Sequence, residues 1–188
     1  MATNTRMAEF SDEELLQQFR NESSRHYAFN LIVKKYQQRL YSHIRKMVID
    51  HDDTNDLLQN TFIKVWNNLE GFREDSQLFT WLYRIATNES LTFLKNKKKR
   101  FFLPVNDVEK ELSEKLENSA PINADALQLK LQQAVLKLPE KQRVVFNLRY
   151  YEEMKYEDMS EILGTSVGAL KASYHHAVAK VEKYITGR

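Results

Sequence analysis

A chain of 188 residues with 28 Lys+Arg against 26 Asp+Glu has a formal net charge of only +2, and 42% of its residues are hydrophobic. That balance excludes wholesale disorder, and no apolar run approaches the ~20 residues of a membrane span. With no cysteine, disulfides and thiolate zinc sites are excluded too, which fits a reducing cytosol and predicts a cytoplasmic protein.

In chain order, the N-terminal stretch Met1 to Arg6 lacks the apolar core of a secretory signal. Ser11-Asp12-Glu13-Glu14 has the form of a capping box and predicts a short helix through Arg20. Phe29, Ile32, Val33, Tyr36, Leu40, Ile44 and Met47 recur at three or four residues, predicting an amphipathic helix of about seven turns. Asp53 or Thr54 is the expected cap of the next helix, whose apolar face is Leu57, Leu58, Phe62, Val65, Trp66 and Leu69, with Gly71 closing it. Ser76 is the expected cap of a fourth helix carrying Leu78, Phe79, Leu82, Ile85, Ala86 and Leu94 toward a core.

Pro104 and Pro121 bracket an acidic, apolar-poor run that predicts a flexible linker over 101–123. Such a chain averages about 25–30 Å end to end and reaches about 75–80 Å when stretched. Helical segments are then expected over Ala124–Lys137, Glu140–Tyr151, Tyr156–Leu163 and Val167–Ile185. With 4 glycines, 3 prolines and no convincing β alternation, the expected fold is all-α. It comprises two small helical domains, 1–100 and 124–188, joined by the acidic linker.

Charge is distributed unevenly along this frame. Residues 1–60 carry 8 Lys/Arg against 9 Asp/Glu, 61–103 carry 8 against 4, 104–125 carry 2 against 6, and 126–188 carry 10 against 7. Two basic units separated by an acidic connector suit a protein that meets phosphates twice and keeps the connector away from them.

The fourth helix holds Phe79-Thr80-Trp81-Leu82-Tyr83-Arg84-Ile85-Ala86-Thr87-Asn88 and runs into Lys95-Asn96-Lys97-Lys98-Lys99-Arg100. Trp81, Arg84 and Asn88 share a face distinct from the Leu78–Leu82–Ile85 stripe. Aromatic rings on which unstacked bases rest, beside cations that track phosphates, are what single-strand binding needs. Trp81 and Tyr83 as simple core residues, or a solvated face, are the alternative readings of the same residues.

Near the C-terminus, Met159, Ile162 and Leu163 face inward, Gly164 permits a sharp reversal by accepting φ > 0, Ser166 caps, and Val167 and Leu170 pack back. This is the pattern of a helix-turn-helix, whose second helix enters the major groove; the alternative is an ordinary α-hairpin. His175-His176 points in two directions about 100° apart and makes a poor chelate, so no metal site is expected. His51-Asp52-Asp53 and Asp56 lie at a helix start, where carboxylates complement the dipole. No nucleophile–base order, phosphate loop or zinc-protease signature is present, so neither an enzyme nor a cofactor is expected.

Three blocks together resemble a bacterial extracytoplasmic-function sigma factor of the sigma-70 family. Asp53–Trp66 (DTNDLLQNTFIKVW) resembles the segment that grips the clamp helices of the polymerase β′ subunit. Gly71–Asn88 (GFREDSQLFTWLYRIATN) resembles the segment that melts and reads the −10 element. Leu138–Arg143 (LPEKQR) with the following helix-turn-helix resembles the −35 reading domain. The resemblance implies that residues 1–100 form the region 2 domain and residues 124–188 the region 4 domain.

It implies polymerase contact, or support of it, for Asp56, Gln59, Phe62 and Trp66. It implies a flipped-base pocket around Phe72–Ser76 and −10 contact at Asn88; Phe72, Ser76, Trp81, Arg84, Asn88, Lys95 and Lys98 are the −10 candidates. Arg149, Ser166, Lys171, Ser173, His175 and His176 are the −35 candidates. The family pattern has arginines where this chain has Ser173 and His176, which leaves the −35 sequence preference open. The implied partners are core RNA polymerase through its β′ clamp helices and β subunit, promoter DNA, and a membrane-linked anti-sigma factor, with no membrane insertion of the chain itself. A stand-alone helix-turn-helix regulator is the alternative, but it leaves the Asp53–Trp66 block unused. A helical enzyme built on His51, Asp52 and Asp53 is a second.

Overall fold

The Ser11 hydroxyl accepts the Glu14 amide at 3.2 Å while the Glu14 carboxylate takes the Ser11 amide at 2.7 Å, so the first helix opens on the reciprocal capping box read from the sequence. In this computed structural model, which describes residues 10–100 and 126–187 with backbone alone for 98–100, every regular element among the described residues is helical. The expected linker, 101–123, and the side chain of Lys98 lie outside the described residues. No helix is long and apolar enough to cross a membrane among them.

Helix α1 (Asp12–Arg20) buries Leu15, Leu16 and Phe19. It is tied to α2 (Arg25–Val48) by Asp12, whose carboxylate accepts the Tyr36 hydroxyl at 2.6 and 2.8 Å and pairs with Lys35 Nζ at 2.9 Å. Burial, reinforced by Asp12, holds the Tyr36 hydroxyl far above its ordinary pKa, so it stays a donor.

The chain reverses at Ile49 (φ 65) into α3 (His51–Asn68). The cap here is Asp50, rather than Asp53 or Thr54. Asp50 has the extended backbone an N-cap requires and accepts the amides of Asp52 and Asp53 at 2.9 and 3.0 Å. Asp53 is already helical, and the Thr54 hydroxyl bonds back to the Asp50 carbonyl.

A 3₁₀ turn, Leu69–Gly71, ends α3. Helix α4 (Leu78–Arg100) begins later than Ser76 suggests: its first acceptor is the Gln77 carbonyl, which takes the Trp81 amide at 3.1 Å. Helices α1, α3 and α4 pack around α2, with Ile32, Leu40, Ile44, Val65, Leu82 and Ala86 fully buried.

In the second half, α5 (Ala126–Leu136) stops before Pro139, and α6 (Glu140–Phe146) starts after it. The run expected as one helix to Tyr151 widens to a π-helical segment over Asn147–Tyr151, closed by the Glu152 amide on the Asn147 carbonyl at 3.3 Å. Then come α7 (Tyr156–Leu163) and α8 (Val167–Thr186). Ala134, Val135, Leu138, Phe146, Ala177 and Val181 form a small core of their own.

The larger core crosses from one half to the other. Val144, Val145, Leu148, Met154, Met159, Ile162 and Leu170 belong to one buried cluster with Leu40, Ile44, Leu82 and Tyr83. Helix α7 packs along α4, and the π-helical segment meets α2.

Candidate nucleic-acid interface

Two surfaces carry the candidate residues, and each is positioned by local sequence. In the C-terminal half, Gly164 takes φ 60, the left-handed conformation that lets α7 turn sharply into α8. Ser166 Oγ then accepts the Ala169 amide at 3.4 Å. Met159, Ile162 and Leu170 are buried beneath the turn, while Val167 is half-buried.

The opposite face of α8 carries Lys171, His175 and His176, all exposed, with Ser173 half-buried between them. Gly168, Ala169 and Ala172 on the leading turns are also exposed, so the front of the helix is thin enough for its backbone to approach a groove floor. The rings of His175 and His176 lie 5.9 Å apart and are tilted by 58°.

A cationic group forms at the head of this unit. Arg149, from the π-helical segment, donates through Nη1 to the Met154 carbonyl at 2.9 Å. Its guanidinium lies 5.2 Å from the Tyr156 ring centroid, and Lys171 Nζ lies 5.7 Å from the same centroid. One aromatic ring therefore gathers cations from two elements 22 residues apart. The sequence reading named Arg149 and Lys171 separately and passed over Tyr156. Its only sequence signal was an aromatic at the first position of the helix, where the ring is half-buried against the core.

In the N-terminal half, Trp81, Arg84, Asn88 and Lys95 fall on a single stripe of α4, spaced by three, four and seven residues. Asn88 and Lys95 are exposed, and Trp81 and Arg84 are half-buried. Trp81 leans on Phe72, ring centroids 5.0 Å apart, and Phe72 is itself buried. Arg84 Nε is buried without a hydrogen-bond partner among the described residues.

The loop before α4 leaves Arg73, Glu74 and Asp75 exposed with Ser76 half-buried; Glu74 takes φ 61 and pairs with Arg20 of α1. Flanking charges are neutralised across helices, Lys64 with Glu89 and Lys97 with Asp53. Tyr83 belongs to the interior and is fully buried.

On α3 the polymerase candidates separate. Asp56 and Gln59 are exposed. Phe62 and Trp66 turn inward: Trp66 stands edge-on to Phe19 at 5.4 Å and Phe29 at 4.9 Å, with His26 stacked on it at 4.9 Å. The exposed stripe also includes Ile63, 51% accessible among polar neighbours, an apolar residue the sequence reading did not single out.

Comparison with known proteins bears on both surfaces. The model of Sigma-70 region 2 matches residues 32–100 and that of Sigma-70, region 4, matches residues 128–181. The RNA polymerase sigma-H factor of Pseudomonas aeruginosa is 31% identical, covering 92% of this chain and 92% of its own length. The ECF RNA polymerase sigma factor SigW of Bacillus subtilis is 32% identical over 84% of this chain and 89% of its own. Among solved structures, CnrH in complex with the cytosolic domain of CnrY superposes with a TM-score of 0.69 at 23% identity, covering 94% of this chain and 97% of that one. The sigma factor RpoE bound to the anti-sigma factor NepR from Bartonella quintana gives 0.66 at 19% identity, covering 84% and 96%.

Proposed function

This chain belongs to the extracytoplasmic-function RNA polymerase sigma factors of the sigma-70 family, and we propose a residue-level division of its labour in directing core polymerase to promoters. Asp56 and Gln59 on α3 face the polymerase clamp. The Trp81–Arg84–Asn88–Lys95 stripe holds the unstacked −10 strand, Phe72 and Ser76 shape the pocket for a flipped base, and Lys98 extends the phosphate track. Arg149, Ser166, Lys171, Ser173, His175 and His176 meet the −35 duplex. The domains are 1–100 and 124–188, with 101–123 between them.

The observation that carries this reading is the pair of unlike surfaces on one chain. An aromatic, cationic and amide stripe suits separated strands, and a capped helix-turn-helix with a thin leading edge suits an intact major groove. Extruding a base costs a few kcal/mol, offset by stacking and pocket contacts. Polymerisation belongs to the core enzyme, so this chain acts as an initiation factor without chemistry of its own, and we place it in the cytoplasm.

Both solved relatives described above are complexes, one with CnrY and one with the anti-sigma factor NepR. We accordingly assign this chain an anti-sigma partner as well. Run-off transcription with purified core polymerase on a genomic promoter library tests the whole reading. Specific transcripts that depend on the chain support it; failure to bind core polymerase at any ionic strength removes it in favour of a stand-alone regulator.

A further inference from the structure

Arg20, the last residue of α1, has no part in any contact assigned above to polymerase or DNA. Its Nη2 nevertheless reaches across 54 positions to the loop before α4 and donates to Glu74 Oε1 at 2.5 Å. The base from which it reaches is rigid. Phe19 beside it is buried, edge-on to Trp66 at 5.4 Å, and its carbonyl accepts Arg25 Nε at 3.2 Å. Arg25 in turn pairs with Glu70 at 3.2 Å, just before the same loop. Two arginines of the α1–α2 corner therefore hold two carboxylates of the segment that leads from α3 to α4.

The loop needs such a hold. Phe72 anchors one end, buried against Trp81, and the Gln77 carbonyl starts α4 at the other. Among the described residues, no hydrogen bond or ion pair reaches 73–76 apart from that of Glu74. Glu74 also has φ 61, a left-handed conformation that a residue with a Cβ keeps only where its surroundings impose it. Asp75 after it is exposed and Ser76 is half-buried. With the ion pair gone, the backbone at 74 is free to return to the extended region, and that change re-aims both.

Phe72 and Ser76 are the walls assigned above to the flipped-base pocket. Discriminating one base from another requires those walls within about 0.5 Å of one position. The Arg20 pair supplies that order before DNA arrives. It also neutralises a carboxylate that would otherwise repel the phosphates of the strand.

We propose that Arg20 is a positioning residue for −10 base selection: by holding Glu74 it fixes the loop over 72–76 in the shape that accepts one flipped base over the other three. This role rests on the flipped-base reading of the loop and adds a residue of α1 to it. Arg20 itself touches neither base nor phosphate. The two partners are partly open to solvent, 51% and 40% exposed, so the effect is bounded at about fivefold, the range of an exposed ion pair.

Selection, rather than binding alone, is what the experiment reads. Holoenzyme assembled from core polymerase and the full chain is titrated with single-stranded oligonucleotides. These cover the −10 element of a promoter taken from the run-off assay and carry each of the four bases at each position in turn. Arg20→Met is expected to narrow the preference at the flipped position by about threefold to fivefold, with capture of core polymerase and affinity for the −35 duplex unchanged. Arg20→Lys keeps the preference. Glu74→Gln narrows it as Arg20→Met does, and the double variant is no worse than either single one. A preference undisturbed by Arg20→Met overturns the proposal, as do additive losses in the double variant, which make Glu74 a direct reader of the base. In the free chain, tryptic cleavage after the exposed Arg73 follows the population of the opened loop. Arg20→Met should speed it by a similar factor and Arg20→Lys should not; an unchanged rate also overturns the tether. If the parent holoenzyme shows no base preference at any position, the flipped-base reading falls and the selection role with it, while the cleavage rate still reports whether the tether holds the loop.

Discussion

His43 on α2 holds its Nε2 2.9 Å from the Thr87 hydroxyl of α4, and both residues are completely buried. The ring also tilts against Tyr83 at 5.0 Å. Burial pushes the His43 pKa down from 6.5 to about 4, with nearby Glu152 pulling it up and Lys46 pushing it further down. The imidazole is therefore neutral in the folded chain and protonates more readily in the unfolded one.

Stability contributed by His43 is complete above pH 6.5 and is lost as pH falls toward 4. Between pH 7 and pH 5 the loss should be about 2 kcal/mol. Urea unfolding at both pH values checks this against His43→Gln, which should lose less over the same interval. An equal loss in the two proteins assigns the acid sensitivity to other groups.

Tyr156 should act on DNA through its ring. Cation–π contacts at exposed sites are worth about 0.5–1 kcal/mol each, and two cations share this ring, so Tyr156→Leu should weaken −35 duplex binding by about tenfold. Tyr156→Phe should bind as the parent does. Lys171→Glu should lower affinity and also flatten its salt dependence, because a phosphate contact is removed. Titrations at several salt concentrations distinguish these outcomes; a loss with Tyr156→Phe as large as with Tyr156→Leu would point to the hydroxyl.

On α3, Asp56→Ala and Gln59→Ala should reduce core polymerase capture while leaving thermal unfolding within a degree or two of the parent. Phe62, buried against Phe29 at 6.4 Å, should behave in the opposite sense. Phe62→Ala is expected to cost about 3–5 kcal/mol of stability, with any loss of capture following the unfolded fraction. Affinity capture beside urea denaturation reads both.

Asn88→Ala should impair strand opening more than polymerase binding, since Asn88 is exposed and supports no core contact. Trp81→Ala should show the same defect, increased by the stacking of about 1–3 kcal/mol per base, but with some loss of stability because Trp81 also covers Phe72. Permanganate reactivity of −10 thymines, measured beside complex formation, separates the steps. Parallel losses in opening and in complex formation would refute the assignment to α4.

Much of this architecture was legible from spacing. The Ser11 capping box, the apolar repeat through Met47, the Gly164 reversal and the Ser166 cap are short-range devices, and each is satisfied within a few residues of itself. The misplaced caps share a cause. Asp53 and Ser76 are good capping residues by type, but the cap goes to whichever residue has extended backbone at the turn. Before α3 that residue is Asp50, set by the reversal at Ile49, and before α4 the first helical acceptor is the Gln77 carbonyl.

The candidate surfaces were legible only as chemistry. Trp81, Arg84 and Asn88 share a face by helical period alone, whereas the convergence of Arg149 and Lys171 on Tyr156 joins residues from separate elements that no local pattern links.

The amino-acid order alone determined the helices, their amphipathic faces and the two basic units, because hydrogen bonding and burial within a helix repeat every few residues. Only the packed chain decided that Glu152 would be held by Lys46 and Tyr83, more than 60 positions away. A single buried carboxylate must find its partners in space, and nothing in its neighbours along the chain says where they lie.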